Sequence, residues 1–140
     1  MTVEVILDTG PLVAMLDGRD RHHTWAVEAL RRVRPPALVC EPVLAEACFL
    51  VRRLRSGPDR VLQLLENQTL RIGLSLEEEV PALRKLMAKY ADVPMSLADA
   101  CLVRMAELHR DARVITIDSD FTRYRRHGRQ AIPLVMPPSR

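Results

Sequence analysis

The sequence predicts an α/β fold with a mostly parallel central sheet flanked by helices. Two observations lead there. Short runs of strand-forming residues alternate with longer stretches of helical periodicity, the order expected of strand–helix–strand crossovers. The runs are also almost wholly apolar, as in Val5-Ile6-Leu7 and Val114-Ile115-Thr116-Ile117, which fits strands covered on both faces.

In order, Val3–Leu7 reads as the first strand, and Pro11–Leu16 as a short helix after the Thr9-Gly10 turn. A helix follows from about His22 to Val33 with Asp20 as its cap, and Pro35-Pro36 ends it. Ala37–Val39 is a short strand, and Pro42–Leu54 a helix with proline in its first turn. Gly57-Pro58 breaks the chain before a helix through Leu65, and Thr69–Ile72 reads as a strand. Ser75-x-x-Glu78 matches a capping box opening a helix whose Val80, Leu83, Met87 and Tyr90 share one face. Pro94 precedes a helix from about Ser96 to Leu108, and Val114–Ile117 is a β-branched strand. A turn or short helix around Phe121–Tyr124 leads to a last strand at Ala131–Val135 before Pro137-Pro138. No repeat, linker or low-complexity segment interrupts residues 1–140, so they read as a single domain.

Composition narrows the class. With 48% hydrophobic and 28% charged residues the chain is a folding one rather than a disordered one. No apolar stretch approaches the roughly 20 residues of a membrane span, and no basic leader with an apolar core opens it. The expectation is a cytoplasmic protein with no membrane partner. Cys40, Cys48 and Cys101, without C-x-x-C spacing, read as reduced core thiols. The net charge is +3 and lysine occurs only at positions 85 and 89, so the positive charge is almost all arginine. The planar guanidinium suits phosphate, although a high-GC genome produces the same richness.

Four acids stand in apolar company. Asp8 ends the first strand and Asp118 follows the strand at Val114–Ile117, while Glu46 and Asp99 are the lone charges in "PVLAEACFLV" and "PMSLADACLV". Both helical segments read as packed on most of their circumference, and a buried, uncompensated carboxylate costs several kcal/mol. Each acid has a plain structural role open to it. Asp8 can cap the helix near Pro11, and Ser96-x-x-Asp99 can form a capping box. Glu46 can pair with an arginine of the Arg52–Arg55 cluster, and Asp118 can initiate a turn. A single arrangement accounts for all four: helices lying over the carboxyl ends of the strands, with the acids converging on a divalent cation. Clustered carboxylates otherwise hold protons at neutral pH, and an all-oxygen set favours Mg²⁺ or Mn²⁺ over zinc. Such a centre can activate water against a phosphodiester. The rest of the surface, with these four acids set aside, is clearly basic, as a nuclease needs.

"VILDTGPLVAMLD", the isolated Glu46, "LADACLVRMA" and "VITIDSDF" together resemble a PIN domain, and most of all the VapC-like toxins of bacterial and archaeal toxin–antitoxin pairs. The resemblance runs over nearly the whole chain. It implies a PIN-like three-layer sandwich and a Mg²⁺- or Mn²⁺-dependent endoribonuclease. It also implies a homodimer and inhibition by a cognate antitoxin. Carried over by position, Asp8, Glu46, Asp99 and Asp118 would be the catalytic quartet, with Asp8 and Asp99 as direct metal ligands. Glu46 and Asp118 would complete the shell, bind a second ion or orient the attacking water, and Asp120 would replace or assist Asp118. Thr9 and Thr116 are candidate hydroxyls supporting those ligands.

Among the remaining features, His22 and His23 lack the i, i+4 spacing of a helical zinc pair and read as a helix-start surface. Trp25 reads as packing rather than base stacking, since aromatics are only 4% of the chain. Of the arginine runs, Arg52, Arg53 and Arg55 are the best candidates for an RNA track, being placed beyond Glu46 on the same predicted helix. Two alternatives accompany the nuclease reading: a receiver-like Mg²⁺-binding phosphoacceptor and a non-catalytic PIN-like binding module. The receiver needs a phosphoaccepting aspartate on a middle strand and a lysine near the last strands. Thr69–Ile72, taken as the middle strand, ends in Gly73, and both lysines lie in the Leu76–Tyr90 helix.

Overall fold

Strands of three residues cannot persist alone, so each depends on its neighbours in the sheet. In the computed structural model, which describes residues 4–139, the strands find those neighbours in parallel pairs. Val3 of the predicted first strand lies outside the described residues. The strands are β1 (Val5–Leu7), β2 (Ala37–Val39), β3 (Leu70–Ile72), β4 (Arg113–Ile115), β5 (Arg125–Arg126), β6 (Gln130–Ala131) and β7 (Leu134–Val135). Five form one sheet in the order β3-β2-β1-β4-β7, every neighbour parallel. The remaining two make an antiparallel ribbon, Arg125 opposite Ala131. The single last strand expected at Ala131–Val135 is therefore split: Ile132 and Pro133 separate the ribbon from β7.

The helices are α1 (Thr9–Leu16), α2 (His23–Arg31), α3 (Glu41–Leu50), α4 (Gly57–Glu66), α5 (Val80–Lys89) and α6 (Leu97–Leu108). Packing places α1 on α2 and α3, α3 also on α4 and α6, and α5 on α6. The most deeply set is α6, whose Ala100, Cys101, Leu102, Val103, Met105 and Ala106 are fully buried, and it contacts both β1 and β4. A helix apolar on nearly every side has to lie inside the protein, and α6 does. Its Cys101 and the β2–α3 junction's Cys40 are buried free thiols, while Cys48 is half-buried.

Several predicted boundaries move, each for a local reason. The helix expected through Leu54 stops at Leu50, and residues 51–56 run as tight turns. Ser56 there adopts a left-handed φ of 53°, which ends any helix. Gly57 follows with its Cα packed so closely against the Val51 carbonyl that a Cβ would clash, so the turn can close only on glycine. Gly57-Pro58 is thus the first turn of α4 rather than the break before it. The Ser75 capping box does not form: α5 begins at Val80 with no side-chain cap, because Pro81 belongs in a first turn and would disrupt a helix begun at Ser75. Of its expected apolar face only Leu83 and Tyr90 are buried, and Val80 is exposed. Asp20 does not cap α2, whose N-cap is His22; it accepts the His22 backbone N–H at 2.8 Å and closes the preceding turn.

The order of the sheet positions the site. From β1 the chain first builds outward through β2 and β3, then returns to the other side of β1 with β4. The strand order therefore reverses between β1 and β4, and ligand crevices in open α/β sheets form at the carboxyl end of such a reversal. The same order corrects two expectations. Residues 70–72 form an edge strand, and the middle strand is β1. The receiver arrangement is strand order 2-1-3-4-5, which this sheet does not have. Among the described residues no helix is long and apolar enough to cross a membrane.

Candidate active site

At the reversal, β1 and β4 pair in register through Leu7 and Ile115, which sets Asp8 beside Thr116 just past the strand ends. The Thr116 hydroxyl donates to Asp8 Oδ2 at 2.7 Å and accepts the Asp118 backbone N–H at 2.9 Å. Asp8 Oδ1 accepts the Thr9 N–H at 2.7 Å, so the acid also caps α1. Capping and facing the crevice are one conformation here. Asp118 likewise accepts the Asp120 N–H at 2.8 Å and caps a 3₁₀ turn, Ser119–Thr122, so the expected turn role is present too.

Asp99 enters from the first turn of α6, where the helix dipole favours a negative charge. Ser96 caps that helix, its Oγ accepting the Asp99 N–H at 3.0 Å. The Asp99 carboxylate, which Ser96 also bonds to, reaches beyond its own helix: Oδ2 accepts the Tyr124 hydroxyl at 2.9 Å. Tyr124 is fully buried, edge-on to Tyr90 and Phe121 with ring centroids 5.0 and 5.1 Å apart. Sequence reasoning missed this residue, which sits inside the basic run Arg123–Arg126; a lone tyrosine among arginines was the only signal available.

A cavity of about 480 Å³ joins these elements. Its walls carry Asp8, Glu46, Asp99, Asp118 and Asp120 with Thr9 and Ser96, and no basic side chain. All five acids singled out in the sequence therefore meet in one place. Glu46 departs from expectation in one respect, being exposed rather than shut in: α3 turns Ala45, Glu46, Phe49 and Leu50 outward together. Those apolar neighbours made an outward face look like a buried one. Nor does Glu46 pair with an arginine, and among the described residues none of the five acids makes an ion pair.

The electrostatics follow from that isolation. Asp8, 8% exposed, has its pKa raised from 3.8 to about 6, mainly by burial, against the opposing hydrogen bonds from Thr116 and Thr9. The negative charges of Asp99 and Asp118 add to the rise. The Asp99 carboxyl is pushed up by burial as well, with Tyr124 opposing and Asp118 assisting. The Tyr124 phenol is pushed well above its usual range by burial and by the Asp99 charge it bonds to. Uncompensated acids of this kind fit a hard divalent cation, and the donor set is all oxygen. Thr9 Oγ1, buried beside Asp8, has no hydrogen-bond partner. No three His, Cys, Asp or Glu side chains among the described residues already stand in ion-binding geometry.

The other candidates fall outside the cavity. Arg52, Arg53 and Arg55 are exposed in the turns after α3, and Arg52 folds back with its guanidinium 3.9 Å above the Phe49 ring. His23 Nδ1 lies 2.7 Å from the Ala14 carbonyl, a helix-joining contact, and His22 stands edge-on to the half-buried Trp25.

Comparison with known proteins agrees with this architecture. The chain matches the PIN domain over residues 5–127. It is 28% identical over 117 residues to ribonuclease VapC26 of Mycobacterium tuberculosis (strain ATCC 25618 / H37Rv), spanning 81% of this chain and 86% of that protein. Among solved structures, a toxin-antitoxin complex from Klebsiella pneumoniae is similar with a TM-score of 0.64 at 21% identity, over 84% of this chain and 90% of that one. VapBC2 from Rickettsia felis, bound to a DNA fragment from its promoter, is similar with a TM-score of 0.62 at 14% identity, over 96% and 98% of the two chains. At such identities the two structures speak for the fold alone.

Proposed function

Because the chain belongs to the PIN-domain family, we propose that it is a Mg²⁺- or Mn²⁺-dependent endoribonuclease, the toxin of a toxin–antitoxin pair. One observation carries the reading: five carboxylates from four separate parts of the chain line one cavity that holds no base. Asp8 and Asp99 are the direct ligands in this proposal, with Glu46, Asp118 and Asp120 around them. A divalent cation bound there supplies Lewis acidity and charge neutralisation for phosphodiester hydrolysis. The chain's own residues do the rest. Thr116 and the Thr9 N–H fix the Asp8 carboxylate, and Thr116 ties the Asp118 backbone to it. In this proposal Glu46, on the open side, orients the attacking water and takes its proton.

The direct test is incubation of the purified chain, free of antitoxin, with single-stranded RNA. Cleavage that requires Mg²⁺ or Mn²⁺ and stops with chelator is expected. Intact RNA at every metal concentration, or cleavage indifferent to chelator, would overturn the reading.

Arg52, Arg53 and Arg55 enter the proposal as phosphate contacts outside the cavity. Replacing all three by alanine should raise KM by about tenfold, flatten its salt dependence and leave kcat near wild type, since phosphate contacts position without reacting. Kinetics at two salt concentrations measure this. An antitoxin and a second copy of the chain complete the proposed partners, in a cytoplasmic setting. Supporting them is exposed apolar surface on α3, where Phe49, partly covered by Arg52, and Leu50 are 60% and 52% exposed.

A further inference from the structure

We infer that Tyr124 is a positioning residue for the metal centre, acting through Asp99; the inference rests on the nuclease reading above. Asp99 reaches the cavity on a short side chain from the first turn of α6, where Ser96 bonds to its carboxylate as well as capping the helix. The bond that ties the carboxylate to the rest of the fold comes from the Tyr124 hydroxyl, 2.9 Å from Oδ2. Partners behind a ligand commonly set its orientation in this way.

The tyrosine is itself locked. Its ring is fully buried and held edge-on by Phe121 on one side and Tyr90 on the other. Phe121 belongs to the 3₁₀ turn that Asp118 caps. Tyr90, at the end of α5, accepts the Arg125 backbone N–H at 2.8 Å through its hydroxyl and so fixes the chain next to Tyr124. The Asp118–Phe121 turn and the Asp99 helix thus meet through one phenol. With Oδ2 engaged, the carboxylate is held in a single rotation, ready to present its other oxygen to a cation. Tyr124 touches neither substrate nor metal in this scheme.

The experiment is calorimetric Mn²⁺ titration of wild type, Tyr124→Phe and Tyr90→Phe, with Mn²⁺-dependent RNA cleavage followed on the same samples. Tyr124→Phe keeps the ring and removes only the hydroxyl. Its Mn²⁺ affinity should fall by about tenfold, the lower end of what such supporting partners contribute. Half-maximal cleavage should need correspondingly more Mn²⁺, and saturating Mn²⁺ should restore much of kcat. Tyr90→Phe removes a hydroxyl that holds only the backbone beside Tyr124 and leaves the Tyr124–Asp99 bond in place, so it should lose clearly less Mn²⁺ affinity than Tyr124→Phe. A Tyr124→Phe affinity that rises, or falls by less than threefold, overturns the inference while leaving the nuclease reading intact. Wild type that binds no Mn²⁺ overturns both. If Tyr124→Phe does not fold, fluorotyrosine-labelled wild type decides: the Tyr124 signal, assigned by difference from Tyr90→Phe, should shift on saturation with Mg²⁺. An unmoved signal overturns the inference.

Discussion

Replacing Asp99 with asparagine should lower RNA cleavage by at least about a thousandfold, equivalent to about 4 kcal/mol of lost transition-state stabilisation. The substitution keeps the shape of the side chain and its contact with Tyr124 but removes the charge that a cation needs. Mn²⁺ binding measured by calorimetry should disappear together with cleavage. The fold should survive, because α6 is anchored by its buried residues and by the Ser96 cap, neither of which needs the carboxylate. Full activity in the pure, folded variant would show that cleavage does not run through Asp99 and would leave this acid as part of a helix cap.

Asp8→Asn should have an equally large effect on cleavage and the opposite effect on stability. Asp8 is buried, and its pKa rises from 3.8 to about 6 in the folded protein. The folded state therefore holds this proton more tightly than the unfolded chain does. Stability from this group is fully present below about pH 4 and is lost as pH rises through about 6. That difference amounts to roughly 3 kcal/mol at most, and asparagine gives part of any gain back because its amide nitrogen cannot accept a hydrogen bond. The metal-free variant should thus equal or exceed wild type in urea denaturation at pH 8, by about 1–2 kcal/mol, and show a flatter stability profile between pH 4 and 6. Added Mg²⁺ should stabilise wild type and leave Asp8→Asn unchanged. A site that costs stability when empty is what a binding centre looks like from the side of folding.

Much of this was legible in the residues. The alternation of apolar runs and periodic helices specified the sheet, and an aspartate closing a buried strand marked where its carboxyl edge opens. Asp8, Asp99 and Asp118 were readable because each breaks an apolar pattern. Glu46 was readable for the wrong reason: Ala45, Phe49 and Leu50 share its outward face, and apolar composition does not say which way a helix is turned. The Ser75 box looked sound until Pro81 decided where α5 starts, a case of one rigid ring outranking a favourable cap. Tyr124 was invisible because its importance lies in a contact with Asp99, and no local pattern encodes a partner 25 residues away.

The hydrogen bond from Thr116 to Asp8 spans 108 positions of the chain. Until the ribosome has delivered β4 and the turn that follows it, Asp8 stands at the end of a strand with one neighbour missing, and Asp118 and Asp120 do not yet exist. The cavity is therefore a late product of folding: it cannot close before the segment through Asp120 has joined β1, and no fragment that ends short of β4 carries it.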